Sequence, residues 1–306
     1  MDPGNTTNFT STVHRTSYDA ISSSRKELDK THKTVLITGG ATGIGKAIAH
    51  SFIAASATAV IIVGRRVDVL REAAAELEKY AREAEKSTKI ITRSCNVAST
   101  SETSTLWDEF ASAGITVDVL VSNAAKFTEP NTMFELGIDE IWTQFETNVK
   151  GPMFFAERFY KQPGDDQRFL VNVTSQVIHQ FYHPIIHARP AYSLTKASGT
   201  LAYQLLANSV APDRLQIVSF HPGLIFGAGL EAVGLTKDML PFDEVELPGD
   251  FAVWAASKEA EFLHGRFVWA SWDVVELSGG AIRERIDRDP YFLRVGVVGL
   301  EGSNRA

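Results

Sequence analysis

The pattern of apolar and polar positions changes character along the chain. Residues 1–32 are rich in Ser, Thr, Asn and charge, with scattered apolar residues such as Tyr18 and Ile21. Such a stretch reads as an N-terminal tail or an arm lying on the surface. From Thr34 onward, short β-branched runs alternate with longer helical stretches. The runs expected to form strands are Thr34–Thr38, Ala59–Val63, Lys89–Ser94, Val117–Ser122, Arg168–Thr174, Leu215–Phe220 and Arg266–Ala270. Several are near-continuously apolar, as strands covered on both faces should be. Between two of them Val67, Leu70, Ala74, Leu77 and Ala81 recur at spacings of three and four, which predicts an amphipathic helix. Strand–helix alternation of this kind predicts an α/β fold, a single doubly wound domain over 33–306. Its seven-stranded parallel sheet would carry helices on both faces, joined by right-handed crossovers.

Composition narrows the partners. Of 306 residues, 44% are hydrophobic and 22% charged, and the formal charge is −7 with no long basic block. That balance speaks against nucleic acid as a partner. A single cysteine, Cys95, forbids an internal disulfide and a cysteine-based metal cluster. No apolar run approaches the roughly 18–20 residues of a membrane span. The start Met1-Asp2-Pro3-Gly4 lacks the basic and apolar regions of a secretory signal, so no membrane partner and a cytoplasmic location are expected.

Two stretches carry candidate chemistry. Thr38-Gly39-Gly40-Ala41-Thr42-Gly43-Ile44-Gly45 follows the first strand and opens the next helix. Glycines there let the backbone turn sharply and approach a pyrophosphate, while the helix N-terminus offers oriented N–H groups. Far downstream, Tyr192 and Lys196 lie four residues apart on one helix face. A phenol titrates near about 10, and an ammonium one turn away would favour the phenolate and suit it to acid–base work.

The wide Gly-x-x-x-Gly-x-Gly spacing, with Tyr192-x-x-x-Lys196, resembles the short-chain dehydrogenase/reductase family, and the extended ends resemble those of its fungal members. The resemblance covers about Thr34 to Ala270 and implies a Rossmann-type domain, a nicotinamide cofactor and hydride transfer. Thr38, Gly39, Thr42, Gly43, Ile44 and Gly45 would then hold the pyrophosphate and adenosine ribose. Arg65 and Arg66 end the second strand where an acidic residue would bind the free ribose hydroxyl of NAD. Guanidinium groups there favour the 2′-phosphate of NADP(H) over NAD(H). Asn96 and Val97 stand near the adenine, where the family usually has an aspartate. Asn123 and Ala124 match the segment beside the adenine ribose, although Ser122 and Ala125 depart from its Asn-Asn-Ala-Gly pattern. Pro222, Gly223 and Ile225 match the segment that passes the nicotinamide carboxamide. Gly227 stands where the family's threonine is common.

By the same resemblance Asn148, Ser175, Tyr192 and Lys196 are the catalytic set. Tyr192 would be the proton donor, Ser175 the second donor to the same oxygen, and Lys196 the support of Tyr192 and of the nicotinamide ribose. Asn148, inside a helix expected from Asp139 to Tyr160, would hold a water relay. The spacing from Ser175 to Tyr192 exceeds the usual one, which implies a loop at the mouth of the site. Gln176, His179, Phe181, Tyr182, His183 and His187 would line or cover the substrate entrance rather than bind a metal, since Pro184 interrupts any helix through the histidines. A substrate lid is expected over about 224–250 and a C-terminal extension over about 271–306. The apolar lid residues suggest an apolar small-molecule substrate. The family's dimer-forming helices imply a homodimer or homotetramer. The expected function is an NADP-dependent ketoreductase or alcohol dehydrogenase. The alternatives are an epimerase, a cofactor-assisted rearrangement enzyme, or a nucleotide sensor without catalysis.

Overall fold

The structure, a computed structural model, describes residues 9–128, 130–181, 189–227, 231, 234 and 236–297. Its centre is one parallel sheet of seven strands: β1 (Thr34–Thr38), β2 (Ala59–Gly64), β3 (Lys89–Ser94), β4 (Val119–Ser122), β5 (Arg168–Val173), β6 (Leu215–His221) and β7 (Arg266–Trp269). The spatial order is β3-β2-β1-β4-β5-β6-β7, with every neighbouring pair parallel. The order reverses between β1 and β4, and a doubly wound sheet opens its ligand crevice at the carboxyl ends beside such a point.

Alternation along each strand feeds two cores. Val35 and Ile37 of β1 face one side with Phe52, Phe251 and Trp254, while Leu36 faces the other with Trp107, Phe110, Phe155 and Phe159. The helices α1 (Gly43–Ala54), α2 (Val67–Glu83), α3 (Thr100–Ser112), α4 (Met133–Leu136), α5 (Ile138–Phe145), α6 (Gly151–Tyr160), α7 (Pro190–Ala207), α8 (Glu246–Ala255), α9 (Val274–Leu277) and α10 (Gly280–Arg288) complete the described elements of that type.

Three expectations are corrected. β4 begins at Val119, because the Val117 N–H is taken by the Gln162 side chain rather than by a neighbouring strand. The buried stripe of α2 is Leu70, Ala73, Leu77 and Ala81, with Ala73 in place of Ala74. Val67 opens the helix and is 54% exposed. The single helix expected from Asp139 to Tyr160 is instead α5 and α6 joined through a π turn, Glu146–Lys150.

The described part of the N-terminal arm is docked. Ile21 and Leu28 are fully buried in the first core. His14 Nε2 meets Asp273 at 2.8 Å, the Ser17 hydroxyl donates to Asp250, and Arg25 pairs with Glu259 at 3.0 Å. Apolar burial and these polar ties bind the arm across α8 and the segment after β7.

Candidate active site

At the carboxyl ends of the strands lies a cleft of about 800 Å³. The turn after β1 forms one end of it. Gly39 and Gly43 have positive φ, +66° and +49°. At Gly45 a Cβ would sit 2.2 Å from the Gly39 carbonyl oxygen, so no side chain fits. Thr42 caps α1 without a side-chain hydrogen bond, which leaves the first N–H groups of α1 directed into the cleft.

Thr38 does not line the cleft. Its hydroxyl accepts the main-chain N–H groups of Asn123 (3.0 Å) and Ala124 (3.1 Å), and the Asn123 amide donates to the Thr38 carbonyl (2.9 Å). These bonds tie the glycine turn to the end of β4. Asn96 also makes a local bond, accepting the Ala98 N–H on Oδ1, and it still borders the cleft with Val97.

Arg65 and Arg66 are exposed at the end of β2 and line the same cleft. Among the described residues neither guanidinium has a carboxylate partner. Donors at a helix start, a side-chain-free turn and two open guanidinium groups suit the phosphates of a dinucleotide, so the residues fit a nicotinamide cofactor.

Ser175, Tyr192 and Lys196 line the cleft as well, together with Pro222, Gly223 and Ile225. Ser175 stands at the end of β5 and accepts the Val177 N–H at 3.4 Å, which leaves its own proton to donate. Tyr192 and Lys196 share a face of α7, with Nζ 5.8 Å from the ring centroid. The lysine Nζ donates to the Val173 carbonyl at 3.0 Å.

The charges behave differently from the sequence-based expectation. Burial pushes the Tyr192 phenol above its ordinary range, and the cation that opposes this is Arg189 rather than Lys196. Burial pushes Lys196 down to about 8. Desolvation of two packed groups outweighs their mutual effect across a turn.

Asn148 sits in the π turn and outside the cleft. Its amide donates to the Lys126 carbonyl (2.7 Å) and the Thr195 hydroxyl (2.9 Å), and its Oδ1 accepts the Lys126 N–H (2.7 Å). The π turn fits between neighbours, since a Cβ on Gly151 would lie 2.3 Å from the Val97 carbonyl oxygen. A second cavity of about 10 Å³ is bordered by Asn148, Thr174, Lys196 and Thr200. That is room for about one water.

Residues that sequence reasoning missed also shape the site. Lys126 pairs with Glu140 at 2.8 Å beside the cleft. Arg189 donates through Nε to the Thr128 carbonyl at 2.9 Å and lies over the Phe127 ring, which packs edge-on against Tyr192. Its place before Pro190-Ala191-Tyr192 was the available signal. His221 closes β6, packs on Trp269 and is pushed down to about 3 by burial, so it is neutral at physiological pH. Asp243 accepts the Leu224 N–H at 2.7 Å and stands 3.7 Å from Arg15, which links the arm to the segment after β6.

Of the expected entrance residues, Gln176 lines the cleft. His179 packs against Phe267 and Trp269 instead, and Phe181 is 44% exposed away from the lining. Tyr182, His183 and His187 fall outside the described residues, as do 228–230, 232–233 and 235 of the expected lid.

Comparison with known proteins agrees with this geometry. Residues 33–234 match the family model described as short chain dehydrogenase. A short chain dehydrogenase/reductase of Claviceps purpurea is 35% identical over 302 residues, covering 96% of this chain and 98% of its own length. Short chain dehydrogenase/reductase nsrO of Aspergillus novofumigatus is 33% identical, covering 94% and 96%. Among solved structures, L-sorbose reductase from Gluconobacter frateurii, complexed with NADPH and L-sorbose, superposes with a TM-score of 0.68 at 24% identity. That match covers 79% of this chain and 96% of the reductase. The sheet order, the glycine turn, the Tyr192/Lys196 pair and these relatives agree: the chain belongs to the short-chain dehydrogenase/reductase family and is an oxidoreductase.

Proposed function

We propose that the protein is an NADP(H)-dependent oxidoreductase of fungal secondary metabolism, acting on a ketone or secondary alcohol of a largely apolar small molecule. One observation carries this reading: Ser175, Tyr192 and Lys196 line the same cleft as the glycine turn and Arg65. The bound nicotinamide would supply or accept the hydride. A carbonyl gaining hydride develops negative charge on oxygen. Tyr192 gives its hydroxyl proton to that oxygen and Ser175 donates a hydrogen bond to it. The high phenol pKa keeps Tyr192 protonated, as a general acid must be.

Lys196 borders both the cleft and the small cavity, and a water there beside Asn148 would return the proton to Tyr192. The ammonium is present below its pKa and lost above it, and burial brings that loss down to about 8. Accordingly, kcat/KM for reduction is expected to fall as pH rises through about 8. Lys196→Arg keeps its charge throughout, so in whatever activity that variant retains the falling limb should vanish. A limb unmoved in Lys196→Arg would assign it to another group.

Arg65, with Arg66, would meet the 2′-phosphate of NADP(H). A charge-assisted hydrogen bond contributes about 1.5–3 kcal/mol, so Arg65→Ala is expected to weaken NADPH about 10–100-fold while NADH binding changes little. Titration of both cofactors against both proteins measures this. Equal losses for the two cofactors would count against the assignment.

The exposed apolar residues Trp142 and Met153 on α5–α6 and Leu206 on α7 border a groove of about 690 Å³. They support a homodimer or homotetramer. Among the described residues no helix is long and apolar enough to cross a membrane, and a cytoplasmic site of action is part of the same proposal.

A further inference from the structure

The charge of the cleft is one-sided. The described residues lining it include Arg65, Arg66, Lys126, Arg189 and Lys196 and no Asp or Glu, in a chain of net charge −7. A cleft lined by one sign of charge concentrates ligands of the other. Four of these cations have a task in hand. Arg65 and Arg66 stand at the nucleotide end, Lys126 is paired with Glu140, and Lys196 Nζ is bonded to Val173. Arg189 is the exception. It lies at the Tyr192 end, where its charge acts on the phenol itself.

The geometry of Arg189 restricts what it can bind. Nε is used on the Thr128 carbonyl, and the guanidinium lies 5.7 Å from the centre of the Phe127 ring. Those two contacts fix the plane of the group. Among the described residues its two terminal nitrogens have no acceptor. Two parallel donors held in one plane match the two oxygens of a carboxylate. Phe127 and Tyr192, with ring centres 5.8 Å apart, supply an aromatic wall beside it.

Resting on the reductase reading above, we infer that the substrate is an aromatic ketone bearing a carboxylate, which Arg189 holds while Tyr192 faces the carbonyl. The apolar body of such a molecule meets the aromatic wall and its charged edge meets Arg189. Arg189 thereby sets specificity, and its charge also opposes the burial that raises the phenol.

The test uses meta-acetylbenzoate and its methyl ester as probes of the protein saturated with NADP+. Calorimetry of wild type should show the acid binding at least about tenfold more tightly than the ester, a difference of about 1.4 kcal/mol. Arg189→Gln should bring the two to near parity, and Arg189→Lys should restore part of the preference. Added salt should weaken only the acid. Equal binding of acid and ester by wild type, binding of neither, or a preference that survives Arg189→Gln would overturn the inference. Turnover of the two probes with NADPH is scored separately. Reduction without a preference for the acid leaves the reductase reading standing and removes this one. Binding with the expected preference but no reduction keeps Arg189 as a carboxylate site and counts against the reductase reading, and the ketone falls with it.

Discussion

Tyr192→Phe is expected to lower kcat for carbonyl reduction by about 10²–10⁴-fold, the range that a positioned general acid supplies. The loss should fall on kcat, because on the proposed reading NADPH would be held mainly by the turn after β1 and by the end of β2. Stability should change little. The ring of Tyr192 packs against Phe127 and is kept in phenylalanine, so the substitution opens no cavity beside that ring. Steady-state kinetics with thermal unfolding of both proteins checks this. Full activity in Tyr192→Phe would remove Tyr192 as the acid. Lost activity together with a large drop in Tm would point to packing instead.

The second large effect is expected at Gly45, where one methyl group has nowhere to go. An alanine Cβ there would lie 2.2 Å from the Gly39 carbonyl oxygen and 2.6 Å from the Asn123 amide nitrogen. Both neighbours are anchored. Gly39 donates its N–H to the Val63 carbonyl, and Asn123 is bonded to Thr38. The turn must therefore shift as a unit and lose the Thr38–Asn123 register between β1 and β4. Overpacking of this kind costs about 1–3 kcal/mol. The distortion falls where the pyrophosphate would lie, so NADPH binding should weaken by about 100-fold or more, the equivalent of about 3 kcal/mol. Gly43→Ala is the control: no atom lies within 4 Å of its Cβ, and only its positive φ is strained. That variant should lose less affinity. Equal losses at Gly43 and Gly45 would contradict the steric account.

Much of this was legible in the chain, and the reasons differ by element. The parallel sheet follows from β-branched runs broken by helices, and β2 is buried from Ala59 to Val63 as a continuous apolar run demands. The Tyr192/Lys196 pair and the glycine turn are local patterns, so sequence alone places them. What escaped depends on contacts between distant residues. The π turn at Asn148 is shaped by the Lys126 main chain and the Val97 carbonyl, neither of which has a local signature. The direction of the Tyr192 shift depends on how deeply the ring packs, and spacing along a helix carries no information about that. Arg189 reaches the cleft through Thr128, 61 residues earlier. Docking of the arm rests on pairs such as His14 and Asp273, 259 residues apart.

Hydride transfer from a nicotinamide to a carbonyl carbon, with Tyr192 supplying the proton, is the central claim. It is tested most directly by incubating the protein with NADPH dideuterated at C4 and a panel of aromatic ketones, then locating the label. The expected result is deuterium on the carbinol carbon, with one NADPH consumed per alcohol formed in wild type and the rate all but lost in Tyr192→Phe. Ketones returned unchanged, or alcohol formed without deuterium on the carbinol carbon, would contradict it.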